Sequence, residues 1–190
     1  MFVGFDSTKM DSHKDFSPNQ GYLDGAIPDE QSITSDWTKL QTPIEGVKNH
    51  EVKNVIKGSG GILTEVFRRD WKLDDGVVDQ VFQNVLNPRE ISGWHVHLKT
   101  MDRLFVNWGI MKIVLYDART GSPSHGLVNE FTTGDCRPSL VIIPPGVWHG
   151  VQNIGPTRSA LINLVDHAYD YKGPDHIRLP IDTPKIPYTF

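Results

Sequence analysis

The sequence predicts an all-β fold, its strands closed into a sandwich or barrel, and three observations carry that expectation. Short apolar or alternating segments recur from residue 44 onward. Gly, Pro, Asn and Asp punctuate them at close spacing, as in Asp74-Asp75-Gly76, Asn87-Pro88, Thr120-Gly121-Ser122-Pro123 and Gly155-Pro156. No stretch keeps the 3.6-residue apolar period that a long helix requires.

Taken in order, residues 1–43 are poor in apolar pattern and rich in Asp, Ser, Gln and Pro, and read as an N-terminal extension or arm. Within it, residues 35–40 suit one short helical turn whose Trp37 and Leu40 dock the arm to the body. The main domain spans residues 44–190, with strands expected at 61–68, 77–85, 92–98, 104–106, 111–117, 127–131, 140–143, 150–153 and 160–165. The segment 170–190 is Pro-rich and is expected to run along the surface, because Pro cannot donate to a central ladder.

Composition narrows the function classes. The 190 residues suffice for one well-buried domain. A net charge of −4 with interspersed signs argues against a nucleic-acid polymer as partner. No apolar run approaches the ~20 residues of a membrane span. The first residues lack the basic and apolar regions of a signal peptide, so a cytoplasmic location is expected. Cys136 is the single cysteine, in a turn-like Gly134-Asp135-Cys136-Arg137-Pro138 context without an obvious base; it reads as a structural thiol in a reducing compartment.

Chemistry concentrates at Gly93-Trp94-His95-Val96-His97 and at Pro144-Pro145-Gly146-Val147-Trp148-His149. Alternation along a strand sends His95 and His97 to one face and Trp94, Val96 and Leu98 to the other. Two imidazoles on one face can share a cation, with His149 and Asp102 as further ligands; such a set suits Fe, Mn, Ni or Zn. A lone strand histidine is more often a satisfied polar group, but a His-x-His pair with a third His in a Pro-x-Gly turn reverses that expectation.

The spacing His95-x-His97, Asp102, Gly109 resembles the first cupin motif, with Asp in place of Glu. Residues 144–153 match the core of the second, Pro-x-Gly-x-x-His-x-x-x-Asn. The resemblance implies a double-stranded β-helix, the jelly-roll barrel. Four stretches sharpen it: 44–47, 61–70, 114–126 with its Asp-x-Arg-x-x-Ser-Pro-x-x-Gly run, and 143–150. Together they resemble the dTDP-4-dehydrorhamnose 3,5-epimerase family, whose members invert carbons flanking the C4 ketone of a nucleotide-linked 4-keto-6-deoxy sugar without a metal.

That resemblance implies an isomerase in which His95 is the base, Arg103 the cation near the sugar carbonyl, and His149 a pocket-lining catalytic histidine. Glu65, His97, Asn163 and Tyr169 become substrate-binding candidates. Several positions depart from the family pattern. Ser92 and Gly60 stand where arginines are expected, Ile162 and Asn163 where the acid Tyr falls, and His97 where Gln is usual. Tyr169 or Tyr171 could replace the acid, and Asp166 the Asp that orients the base. The family also implies a homodimer and a sugar or sugar-nucleotide ligand. Three readings stay open: a cofactor-free keto-sugar epimerase, a metal-dependent cupin enzyme built on His95, His97, Asp102 and His149, and a non-catalytic sugar-binding cupin.

Overall fold

The computed structural model describes residues 25–190 except 28, 37, 38 and 57, and divides into two compact units, Met1–Leu40 and Gln41–Phe190. In the first unit, an antiparallel bridge joins Ile33 to Lys39, and Leu40 N–H donates to the Ser32 carbonyl at 2.9 Å. That is a looped bridge where the sequence suggests a helical turn; Trp37 lies outside the described residues.

The second unit is a jelly roll of two five-stranded antiparallel sheets. Its strands are β1 (Lys48–Glu51), β2 (Asn54–Ile56), β3 (Ile62–Thr64), β4 (Gln80–Leu86), β5 (Ile91–Val96), β6 (Asp102–Trp108), β7 (Ile110–Asp117), β8 (Val128–Gly134), β9 (Ser139–Ile143), β10 (Val147–Asn153), β11 (Ser159–Val165) and β12 (Ile177–Arg178). One sheet runs β1-β9-β6-β11-β4, the other β12-β5-β10-β7-β8, and β2 pairs with β3 in a separate hairpin.

Each central strand is apolar on both faces because both are covered. On β7, Met111, Ile113 and Leu115 enter the space between the sheets, where they meet Leu104, Val106, Val141, Val147, Val151 and Leu161. The alternate residues Val114 and Tyr116 face outward against Trp94, Leu179, Ile181, Ile186, Tyr188 and Phe190. The Pro-rich tail is therefore a packed outer layer, not a strap over bare surface. A matching layer from Val66, Phe67, Trp71 and Leu73 covers Phe105, Leu140 and Ile142 on the other sheet. The strand expected over 61–68 shrinks accordingly to Ile62–Thr64, since the residues after it pack as covering chain and a 3-10 turn at Arg69–Trp71.

The same alternation sets the phase of the functional face. On β6, Asp102 shares its side with Leu104 and Val106, and on β10 His149 shares its side with Val147 and Val151. At one end of the inter-sheet space these inward positions become polar, and a cavity of about 440 Å³ opens there.

Candidate active site

β5 and β10 run antiparallel and place His95 directly opposite His149, with a register irregularity between His149 and Val151. A glycine pair permits this approach. A Cβ at Gly93 would stand 2.6 Å from the Gly150 Cα, so only glycine lets the two backbones come so close. The His95 and His149 rings lie 4.1 Å apart, and His97, one residue beyond β5, lies 5.7 Å from His95 and 5.6 Å from His149. One potential ligand atom from each of these three imidazoles lies within 4.8 Å of the others.

A fourth imidazole joins them. His176 sits 4.9 Å from both His95 and His97, carried by the tail as it reaches β12. Asp175 anchors that segment: its carboxylate accepts from the backbone N–H of Leu98, Lys99 and Thr100 at 2.8–2.9 Å and from Thr100 Oγ1 at 3.0 Å. Burial opposes ionisation there, but the three N–H donors outweigh it and hold the carboxyl down to about 2. The Asp175 carbonyl in turn accepts from His97 Nδ1. Sequence reasoning missed both residues, because nothing in a Pro-rich tail signals that it folds back over the barrel mouth.

The site is electron-rich. Asp102 is buried; its Oδ2 lies 3.4 Å from His149 Nε2 and 3.6 Å from His97 Nε2, and its Oδ1 accepts from Asn163 Nδ2 at 2.6 Å. His149 Nδ1 donates to the Val147 carbonyl at 3.1 Å. Burial, and then the neighbouring imidazoles of His149 and His176, push His95 far below the ordinary histidine range and keep it neutral. Burial likewise lowers His149 despite Asp102 beside it, and lowers His176 to about 4 with help from Arg178. Buried nitrogens on His95 (Nδ1), His149 (Nε2) and His176 (Nε2) have no hydrogen-bond partner.

The remaining sequence candidates separate. Asn163 and Tyr169 line the cavity, as do Ser92, Lys99 and Arg178. Arg103 does not reach it, which corrects its assignment as the cation at the sugar. The phase of β6 turns Arg103 outward, where Nε binds Asp74 at 2.6 Å, NH1 binds the Val77 carbonyl at 2.8 Å, and the guanidinium lies over Phe67. Glu65 is also elsewhere, exposed and paired with Arg68 at 2.9 Å. Asp166 accepts from Met101 N–H at 2.8 Å and meets His167 at 2.9 Å, so it orients neither His95 nor His149. Ile162 packs in the outer layer while its neighbour Asn163 faces inward.

No family model matches the chain. It is 35% identical over 123 residues to the probable low-salt glycan biosynthesis epimerase of Haloferax volcanii, covering 64% of this chain and 79% of that protein. It is 32% identical over 149 residues to the spore coat polysaccharide biosynthesis protein SpsL of Bacillus subtilis, covering 77% and 96%. Among solved structures, a dTDP sugar isomerase from Desulfovibrio desulfuricans superimposes with a TM-score of 0.71 at 28% identity, over 77% of this chain and 91% of that one.

Proposed function

The chain belongs to the dTDP-4-dehydrorhamnose 3,5-epimerase family of cupins, and on that premise we propose that it epimerises a nucleotide-linked 4-keto-6-deoxy sugar. One observation carries this reading: His95, its ring 4.1 Å from that of His149, stands on the wall of a cavity sized for a sugar. His95 takes the proton from the carbon next to the ketone, whose oxygen gathers the charge as an enolate. Tyr169 lines the same cavity and returns a proton to that carbon; the substrate leaves as an isomer with no net change in atoms or electrons. Lys99 and Arg178 also line the cavity and are the cations available to a diphosphate. Arg103 has a structural part, fastening residues 74–77 to β6.

The measurement is solvent-deuterium uptake at C3 or C5 of dTDP-4-keto-6-deoxyglucose in deuterated water. Uptake by the natural protein and its loss in His95→Gln support the reading; absence of uptake in the natural protein refutes it.

Two supporting features concern context. Among the described residues no helix is long and apolar enough to cross a membrane. The exposed, free thiol of Cys136 is compatible with a reducing, cytoplasmic setting. The β2–β3 hairpin leaves Ile56 at 76% and Ile62 at 67% exposure, which supports burial of this hairpin in a homodimer. Light scattering on an Ile56→Asp, Ile62→Asp variant tests that association: a dimer that persists in the variant removes the hairpin from the interface.

A further inference from the structure

One atom of the keto sugar is left without a partner, and one imidazole of the cavity is left without a task. The atom is the ketone oxygen, which carries the enolate charge once His95 has taken the neighbouring proton. Arg103 points away from the cavity, and Lys99 and Arg178, which do line it, are exposed side chains. The imidazole is His176. It lines the cavity, and its Nε2 is buried with no hydrogen-bond partner.

The other buried nitrogens are committed. Among the described residues, the cavity imidazoles with a buried, unpartnered nitrogen are His95 at Nδ1, His149 at Nε2 and His176 at Nε2. His149 spends its N–H on the Val147 carbonyl through Nδ1, which leaves a lone pair on Nε2. His97 directs Nδ1–H to the Asp175 carbonyl, and the amide nitrogen of Asn163 holds Asp102 at 2.6 Å. With His95 as the base, His176 is the ring free to donate.

Its position is fixed from both sides. Before it, the Asp175 carboxylate accepts from the N–H groups of Leu98, Lys99 and Thr100 at 2.8–2.9 Å. After it, Ile177 and Arg178 pair with Val96 and His95. The His176 ring consequently stands 4.9 Å from that of His95. In the substrate only the carbonyl carbon separates the acidic C–H carbon from the ketone oxygen, so base and donor have to be close neighbours. A donor held in place before charge develops needs no reorganisation when it does.

We propose that His176 is a catalytic residue, donating a hydrogen bond from Nε2 to the ketone oxygen as the enolate forms. The role rests on the keto-sugar reading. The C–H bond breaks, its proton passes to His95, and its electron pair moves through the carbonyl carbon onto oxygen. The His176 N–H bond stays intact throughout. Tyr169 then protonates the carbon from the other face, the C–O double bond re-forms, and nothing is oxidised or reduced. Burial keeps the His176 ring uncharged, as a neutral imidazole that polarises a carbonyl has to be.

The test uses the full chain and dTDP-4-keto-6-deoxyglucose, with two readouts. The first is solvent-deuterium uptake at saturating substrate. His176→Leu lowers kcat roughly 10²–10³-fold, the loss that follows removal of one donor to a developing oxyanion, while KM changes little. His176→Gln keeps an N–H donor and retains more of the rate; His176→Phe, a ring without a donor, takes the place of His176→Leu if that chain fails to fold. The second readout is the infrared band of the bound C4 carbonyl, recorded in His95→Gln so that substrate stays unreacted. It lies at lower frequency there than in His95→Gln with His176→Leu, a difference that a purely structural role for His176 would not produce. Uptake at the natural rate in folded His176→Leu, a raised KM with unchanged kcat, or an unshifted carbonyl band overturns the role of His176 and leaves the epimerase reading standing. Absence of uptake in the natural protein overturns that reading, and this role with it.

Discussion

Asp117 and Asp102 are both buried carboxylates, on strands β7 and β6 of the two different sheets, and their surroundings are opposite. Asp117 is saturated with donors: Oδ1 accepts from Arg119 N–H at 3.0 Å and Nε at 2.9 Å, while Oδ2 accepts from Arg119 NH2 at 2.9 Å and from Ser122 and Ser124 hydroxyls at 2.6 Å. Asp102 has one side-chain amide on Oδ1, and its Oδ2 faces two imidazole nitrogens. The first arrangement stabilises the charged form and closes a turn. The second leaves a buried oxygen short of donors, which folding alone would not favour. The Asp-x-Arg-x-x-Ser-Pro-x-x-Gly run, the most telling stretch of the sequence for kinship, is thus a structural clasp. Less distinctive residues build the cavity.

Substitutions can break this contrast, beginning with the chemistry. His95→Gln lowers kcat for epimerisation by roughly 10²–10⁴-fold, measured as deuterium uptake, with no change in the melting transition comparable to that loss. Asp117→Asn acts on the other side of the comparison. It leaves Arg119 without its carboxylate and costs roughly 3 kcal/mol, read as a drop of about 10 °C in Tm. Asp102→Asn removes the carboxylate that faces His97 and His149 and lowers kcat in the deuterium assay, with a smaller Tm change than Asp117→Asn because Asp102 accepts only one side-chain hydrogen bond. A Tm loss equal to that of Asp117→Asn would erase the distinction.

Acid titration sharpens the comparison more gently. Burial raises the Asp117 pKa, but Arg119, Ser122 and Ser124 outweigh it and hold the group far below the usual carboxylate range. A depressed folded-state value contributes stability that is complete above the unfolded pKa of about 3.9 and is lost as pH falls further towards the folded value. The urea midpoint should therefore fall more steeply below about pH 4 in the natural protein than in Asp117→Asn. The smallest effect belongs to the exposed Arg137–Glu51 pair. Arg137→Ala changes stability by no more than about 0.5 kcal/mol, as chemical denaturation will show.

The extent to which the site was legible follows residue type and range. His95, His97 and His149 were readable because their spacing encodes a strand pair and a turn, both local features. Asp102 was readable as a companion of those histidines for the same reason. Arg103 was misassigned because alignment by charge ignored the pleat: one residue's difference in phase moves a side chain to the opposite face of the sheet. Phe105 and Ile162 lie on Arg103's side, Leu104 and Asn163 on that of Asp102. Glu65 shows the same weakness, since a matching residue in a covering segment need not reach the cavity. Asp175 and His176 were invisible because they join the site only when the tail folds across β5.

The sequence by itself determined the all-β jelly roll, the kinship with keto-sugar epimerases and the three histidines that converge. Periodicity, turn chemistry and short motifs are local, and they survive in a linear reading. Only the tertiary structure decided that Asp102 rather than Arg103 faces the imidazoles and that Asn163 holds that carboxylate. It also showed that a fourth histidine closes the ring from the tail. Those outcomes depend on which side of each strand is buried, which is set by the summed packing of two sheets and their covering layers.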